Sequence, residues 1–146
     1  VPTSPDFVLP IGKADIKRVG KDVTVVTYGR MLERVLKAAD MALEKGIEVE
    51  VVDLMTLMPL DKEAIINSVK KTGRVLLVND AHKTGGFLGE IAATITESDA
   101  FDYLDSRILR LAAEDIPTPY NHSLEVAMLP DVNRILKYIE RLYDKR

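Results

Sequence analysis

What most limits the folds open to this chain is its alternation of short β-branched runs with stretches of helical periodicity. Residues 14–19 read as a short strand, Gly20-Lys21-Asp22 as a turn, and residues 23–28 as a β-branched strand bounded by Gly29. Leu32, Val35, Leu36, Ala39 and Leu43 then recur at the spacing of one helix face, and Gly46 stands where a left-handed C-terminal cap belongs. Residues 49–54 form a second β-branched run. Pro59 interrupts regular structure, and Asp61 predicts the N-cap of a helix that carries Ile65, Ile66 and Val69 and closes at Lys70, Lys71 and Gly73. Residues 75–78 predict a buried strand, while Phe87, Leu88, Ile91, Ala92 and Ile95 predict a helix face. A further strand is expected at residues 108–111. A last helix follows Pro130, with Val132, Ile135, Leu136, Ile139 and Leu142 on one stripe.

Continuous Val, Ile and Leu runs separated by helices belong to strands buried on both faces. Such strands form a mostly parallel sheet joined by right-handed crossovers, so the expected fold is a three-layer α/β/α domain. A chain of 146 residues is long enough for one real core. Residues 1–12 are rich in proline and glycine breaks and read as an extended linker from a preceding, absent domain, with the folded domain at residues 13–146. No apolar run approaches the roughly 20 residues of a membrane-spanning helix. Cysteine is absent, which rules out disulfides, a thiolate nucleophile and sulfur-ligated metal. That composition suits a reducing cytoplasm or an organelle matrix. The net charge of -3, with both signs mixed along the chain, offers no basic stripe for nucleic acid.

Loops beyond the carboxyl ends of the strands are where an open α/β sheet usually holds ligands. Thr84-Gly85-Gly86-Phe87-Leu88-Gly89 lies in one of them, and free backbone N–H groups at Gly85 and Gly86 would suit an anion. It does not match G-x-G-x-x-G, and glycine there also permits close backbone packing at a helix start. His82, with Asp80, Glu90 and His122, has the chemistry of a metal ligand or a general base, yet the spacing fits no metal motif and no nucleophile accompanies it. Glu114 and Asp115 open a loop stiffened by Pro117 and Pro119. As neighbours in an extended chain they point apart, which argues against a shared-proton dyad and for a shaped surface loop. No catalytic set emerges from the residues themselves.

Taken in order, several segments resemble the C-terminal domain of the beta subunit of thiamine-diphosphate-dependent 2-oxoacid dehydrogenases (E1 beta). They are Pro10-Ile11-Gly12-Lys13-Ala14, Lys21 through Gly29, Glu50-Val51-Val52-Asp53-Leu54 with Pro59-Leu60-Asp61, Ser68 through Arg74, Gly85-Gly86 with Glu90-Ile91, and Pro117-x-Pro119-Tyr120 with Leu124-Glu125. The resemblance spans almost the whole chain and implies a five-stranded mixed sheet whose first strand is antiparallel to the rest. It implies thiamine diphosphate and Mg in the parent enzyme, bound elsewhere than in this domain. The implied partners are an E1 alpha subunit, a second beta subunit and the peripheral binding domain of the E2 acyltransferase. The family's E2-docking carboxylate falls on Asp105, and its second docking group, the terminal carboxylate, on Arg146. That ending, Leu142 through Arg146, is more basic and slightly longer than the family's usual apolar one. Thr84-Gly85-Gly86-Phe87 is most similar to branched-chain enzymes, whereas Pro119-Tyr120 and Leu124-Glu125 are closer to pyruvate or acetoin enzymes, so the substrate stays open. Other readings are the C-terminal domain of a transketolase or deoxyxylulose-phosphate synthase, or a stand-alone module that binds a small anion at Gly85-Gly86.

Overall fold

The computed structural model describes residues 8–144. Its strands are β1 (Asp15–Arg18), β2 (Val23–Thr27), β3 (Val49–Asp53), β4 (Val75–His82) and β5 (Leu109–Ala113). They form one sheet in the order β1-β3-β2-β4-β5. β1 pairs antiparallel with β3, while β2, β3, β4 and β5 run parallel, so the sheet is mixed as the resemblance implies. All five residues of β2 and of β3 are buried, which fits strands covered on both faces and rich in valine.

Helices cover both faces. On one side α1 (Met31–Glu44) and α5 (Val132–Tyr143) pack over Val23, Val25, Val51, Leu76 and Val78. On the other, α2 (Lys62–Thr72) and α3 (Leu88–Thr96) pack over Val26, Val52, Val75 and Leu77. Each fully buried Val, Leu or Ile side chain of these two layers contributes about 1.5 to 3 kcal/mol from its removal from water. Among the described residues, no helix is long and apolar enough to cross a membrane.

Local signals act where the sequence places them. Asp61 caps α2 by accepting a hydrogen bond from the Ala64 amide at 3.2 Å, and Gly73 ends it in the left-handed region at φ 66°. Gly46, at φ 78°, follows α1. The expected stripe of α1 is corrected in register. Met31, Val35, Ala38, Ala39 and Ala42 are its buried residues, and Leu43 is 50% exposed. Small alanines let this helix sit close to β2, β3 and α5, which rotates the larger leucines toward its flanks. Two elements were not expected: a 3₁₀ turn at Asp99–Tyr103, capped by Ser98, and α4 (His122–Met128), whose Asn121 side chain accepts from the amides of Ser123 and Leu124 at 2.9 and 3.4 Å.

Candidate functional site

The carboxyl ends of the parallel strands open toward the loop between β4 and α3. Gly85 sits there at φ 72° with open space where a side chain would point. Gly86 is a glycine for a different reason, since a Cβ would lie 2.2 Å from the His82 carbonyl oxygen. The Gly86 carbonyl accepts from the Gly89 amide at 3.0 Å, and Phe87 stands at the start of α3 with no side-chain cap. Gly86, Phe87, Gly89 and Glu90 form one wall of a cleft of about 870 Å³, and Leu57, Met58, Pro59 and Leu60 form the other. Lys62 and Arg110 also reach it. An apolar body with an anionic group fits such a lining better than a cation does, and the lining holds no Ser, Thr, Cys or His side chain.

Phe87 meets Tyr28 edge to face at a centroid distance of 6.5 Å. Asn79, fully buried within β4, donates from Nδ2 to the Tyr28 hydroxyl at 2.7 Å, while its Oδ1 has no partner. Thr27 Oγ1 at the end of β2 is likewise buried and unpartnered. Across the ladder from Thr27, Asp53 is 5% exposed, and burial lifts its carboxyl above the usual aspartate range. The Met55 amide and the Lys17 charge pull the other way. These buried polar groups escaped sequence reading because threonine, asparagine and aspartate at a strand end also read as turn formers.

His82, the last residue of β4, has a structural partner, its Nε2 lying 2.9 Å from the Ile116 carbonyl oxygen. Two residues on, Thr84 donates to Asp115 from its amide at 2.9 Å and from its hydroxyl at 2.6 Å, and these bonds hold the Asp115 carboxyl below the usual range. Together they strap the β4–α3 loop to the β5–α4 loop. The expected grouping of His82 with Asp80, Glu90 and His122 is divided among other elements: Asp80 pairs with Arg30 at 3.0 Å, Glu90 lines the large cleft, and His122 begins α4. Glu114 and Asp115 diverge as adjacent residues should, Glu114 reaching Arg134 at 2.7 Å.

Asp105 lies at the opposite, amino end of the sheet. Its amide donates to the Gly73 carbonyl at 2.8 Å and its Oδ2 is 3.3 Å from the Arg74 guanidinium, with the side chain 57% exposed. A Cβ on Gly73 would meet that same Oδ2 at 2.8 Å, so Gly73 serves both the left-handed end of α2 and the approach of Asp105. Arg146 lies outside the described residues.

A model of the family described as transketolase, C-terminal domain, matches residues 12–135. The 2-oxoisovalerate dehydrogenase subunit beta of Bacillus subtilis is 49% identical over 131 residues, 89% of this chain and 40% of that protein. A pyruvate dehydrogenase E1 component subunit beta from Porphyra purpurea is 43% identical over 94% of this chain and 41% of its own length. The chain thus spans about two fifths of these relatives. Among solved structures, an inactive beta4 tetramer of a split-gene transketolase superposes with a TM-score of 0.76 at 25% identity, covering 98% of this chain and 45% of that one.

Proposed function

Since the chain belongs to the transketolase C-terminal domain family, we propose that it is the C-terminal domain of an E1 beta subunit, from a complex that oxidatively decarboxylates a 2-oxo acid and passes the acyl group to lipoyl-E2. The observation that carries this reading is the identity of 40 to 49% to beta subunits along at least 89% of the chain. In this reading the domain assembles the enzyme with an E1 alpha subunit and a second beta subunit and takes no part in the reaction itself. Thiamine diphosphate and Mg belong to other parts of the parent enzyme. Among the described residues, no three His, Cys, Asp or Glu side chains are grouped to hold a metal ion.

Asp105 is the proposed contact to the peripheral binding domain of E2. Its exposed carboxylate already faces Arg74, so an arginine from E2 would share it rather than meet an isolated charge. A charge-assisted hydrogen bond at a desolvated interface contributes about 1.5 to 3 kcal/mol. Calorimetry with the cognate E2 domain should find Asp105→Ala at least about tenfold weaker, a change of about 1.4 kcal/mol. Unchanged affinity would remove Asp105 from the dock. A transketolase parent is the second reading, favoured by the structural superposition above. It predicts no E2 binding at all.

A further inference from the structure

Four cations gather along the outer edge of the sheet. Lys83, Arg107, Arg110 and Arg141 line a cleft of about 310 Å³ together with Leu109 and Tyr138, and no carboxylate belongs to its lining. The chain as a whole is net negative at -3, so this concentration runs against its average charge. Many basic side chains elsewhere meet acids, among them Arg30 with Asp80, Lys45 with Glu140 and Arg134 with Glu114. Among the described residues none of these four does. Instead the Arg110 guanidinium donates to the Lys83 backbone carbonyl at 3.4 Å, which keeps two like charges in one corner. An anion from outside would meet all four attractively.

The cleft follows β5, the last strand in the sheet, whose one ladder is with β4. Its carboxyl half is covered, since Ala113 packs with Met128 and Leu129. Its amino half, Leu109 and Arg110, is only half-buried. A strand edge left open in this way is a ready template for another strand. The charges also straddle the edge. Leu109 and Leu111 face the α1/α5 layer while Ile108 and Ala112 face the α2/α3 layer, which puts Arg110 on the α2/α3 side and Tyr138 and Arg141, from α5, on the other. A single phosphate would meet one side of that arrangement. An added strand sends successive side chains to both sides.

We infer that the open half of β5 is a docking edge for an acidic, extended segment of a partner protein, whose backbone continues the sheet while its carboxylates meet Arg110 and Lys83 on one side and Arg141 on the other. This site is separate from the proposed E2 contact at Asp105. Titration of the chain with a fluorescein-labelled peptide of alternating Glu and Thr should show saturable binding that weakens steeply with salt. Amide resonances of residues 107–111 should shift and gain protection. Lys83→Glu with Arg141→Glu, both exposed positions checked for folding by circular dichroism, should weaken the peptide about tenfold or more. A Lys and Thr peptide that binds equally well, or a Glu and Thr peptide that does not bind at low salt, overturns the inference. So does binding that leaves residues 107–111 unmoved or ignores the double variant. Binding of tripolyphosphate without the peptide would mark a small-anion site and overturn strand docking as well.

Discussion

The two ends of the parallel sheet treat buried polar groups in opposite ways. At the amino end they are satisfied within the fold. Thr24 Oγ1 lies 2.7 Å from both the Ser68 and the Thr72 hydroxyls, all three buried, and pins α2 to β2. Glu50, 3% exposed, pairs with Lys71, and Arg74 pairs with Asp105. Arg74 Nε is the exception there. At the carboxyl end Thr27 Oγ1 and Asn79 Oδ1 are buried without a partner, and Asp53 resists ionisation. The amino end is therefore sealed by its own hydrogen bonds. The carboxyl end is held instead by loop-to-loop contacts at its surface, His82 to Ile116 and Thr84 to Asp115. Polar groups left over beneath those loops are where ligands and partners of α/β sheets are usually met.

The largest expected effect concerns the loop glycines. Gly86→Ala forces a Cβ against the His82 carbonyl, a backbone atom that cannot swing away, and should cost about 3 kcal/mol or more by chemical denaturation. Gly85→Ala strains only its own φ of 72° in open space and should cost about 1 to 2 kcal/mol. Equal losses would mean that the loop relaxes and that the carboxyl end is not rigidly braced.

Next comes the same substitution made twice on one strand. Thr24→Val removes a hydroxyl with buried partners and should destabilise by about 1 to 3 kcal/mol. Thr27→Val, three residues on, removes a hydroxyl with none and should be neutral or stabilising by about 1 kcal/mol. Matching losses from the two would erase the contrast between the ends. The order of the two midpoints in urea is the measurement.

The smallest effect is a slope. The elevated Asp53 carboxyl means that the folded state binds this proton more tightly than the unfolded chain. Its contribution to stability is whole below the ordinary aspartate pKa and declines as pH rises from that value through the elevated one. Asp53→Asn should remove this part of the decline, so the variant gains on the parent chain as pH rises from the ordinary aspartate range through the elevated one. Parallel melting-temperature profiles would show that Asp53 is not desolvated in solution.

Much of this architecture was legible because it rests on short-range rules. Asp61 and Gly73 bound α2 as their capping chemistry demands, and Ile135, Leu136, Ile139 and Leu142 are buried on the predicted stripe of α5. α4 was hidden by Pro117 and Pro119, which read as loop, although Asn121 with Glu125 four residues on carried a helix-start signal. The candidate site was less legible. Gly85 and Gly86 were found through their loop, but their cleft partners, Leu57 to Leu60, stand on a different β–α connection. Arg107, Arg110 and Arg141 are unremarkable in the sequence, where acids are interspersed with them.

The sequence by itself determined the layers and most element boundaries, because periodicity, caps and turn chemistry act between residues a few positions apart, and the order of whole segments carried the resemblance to the family. Tertiary structure alone decided which end of the sheet leaves polar groups unsatisfied, that Asp105 already faces Arg74, and that four cations meet at an open strand edge. Those facts depend on segments far apart in the chain coming together, as Thr24 does with Thr72 and as Lys83 and Arg141 do at one cleft. Packing, rather than local preference, sets which of those contacts form.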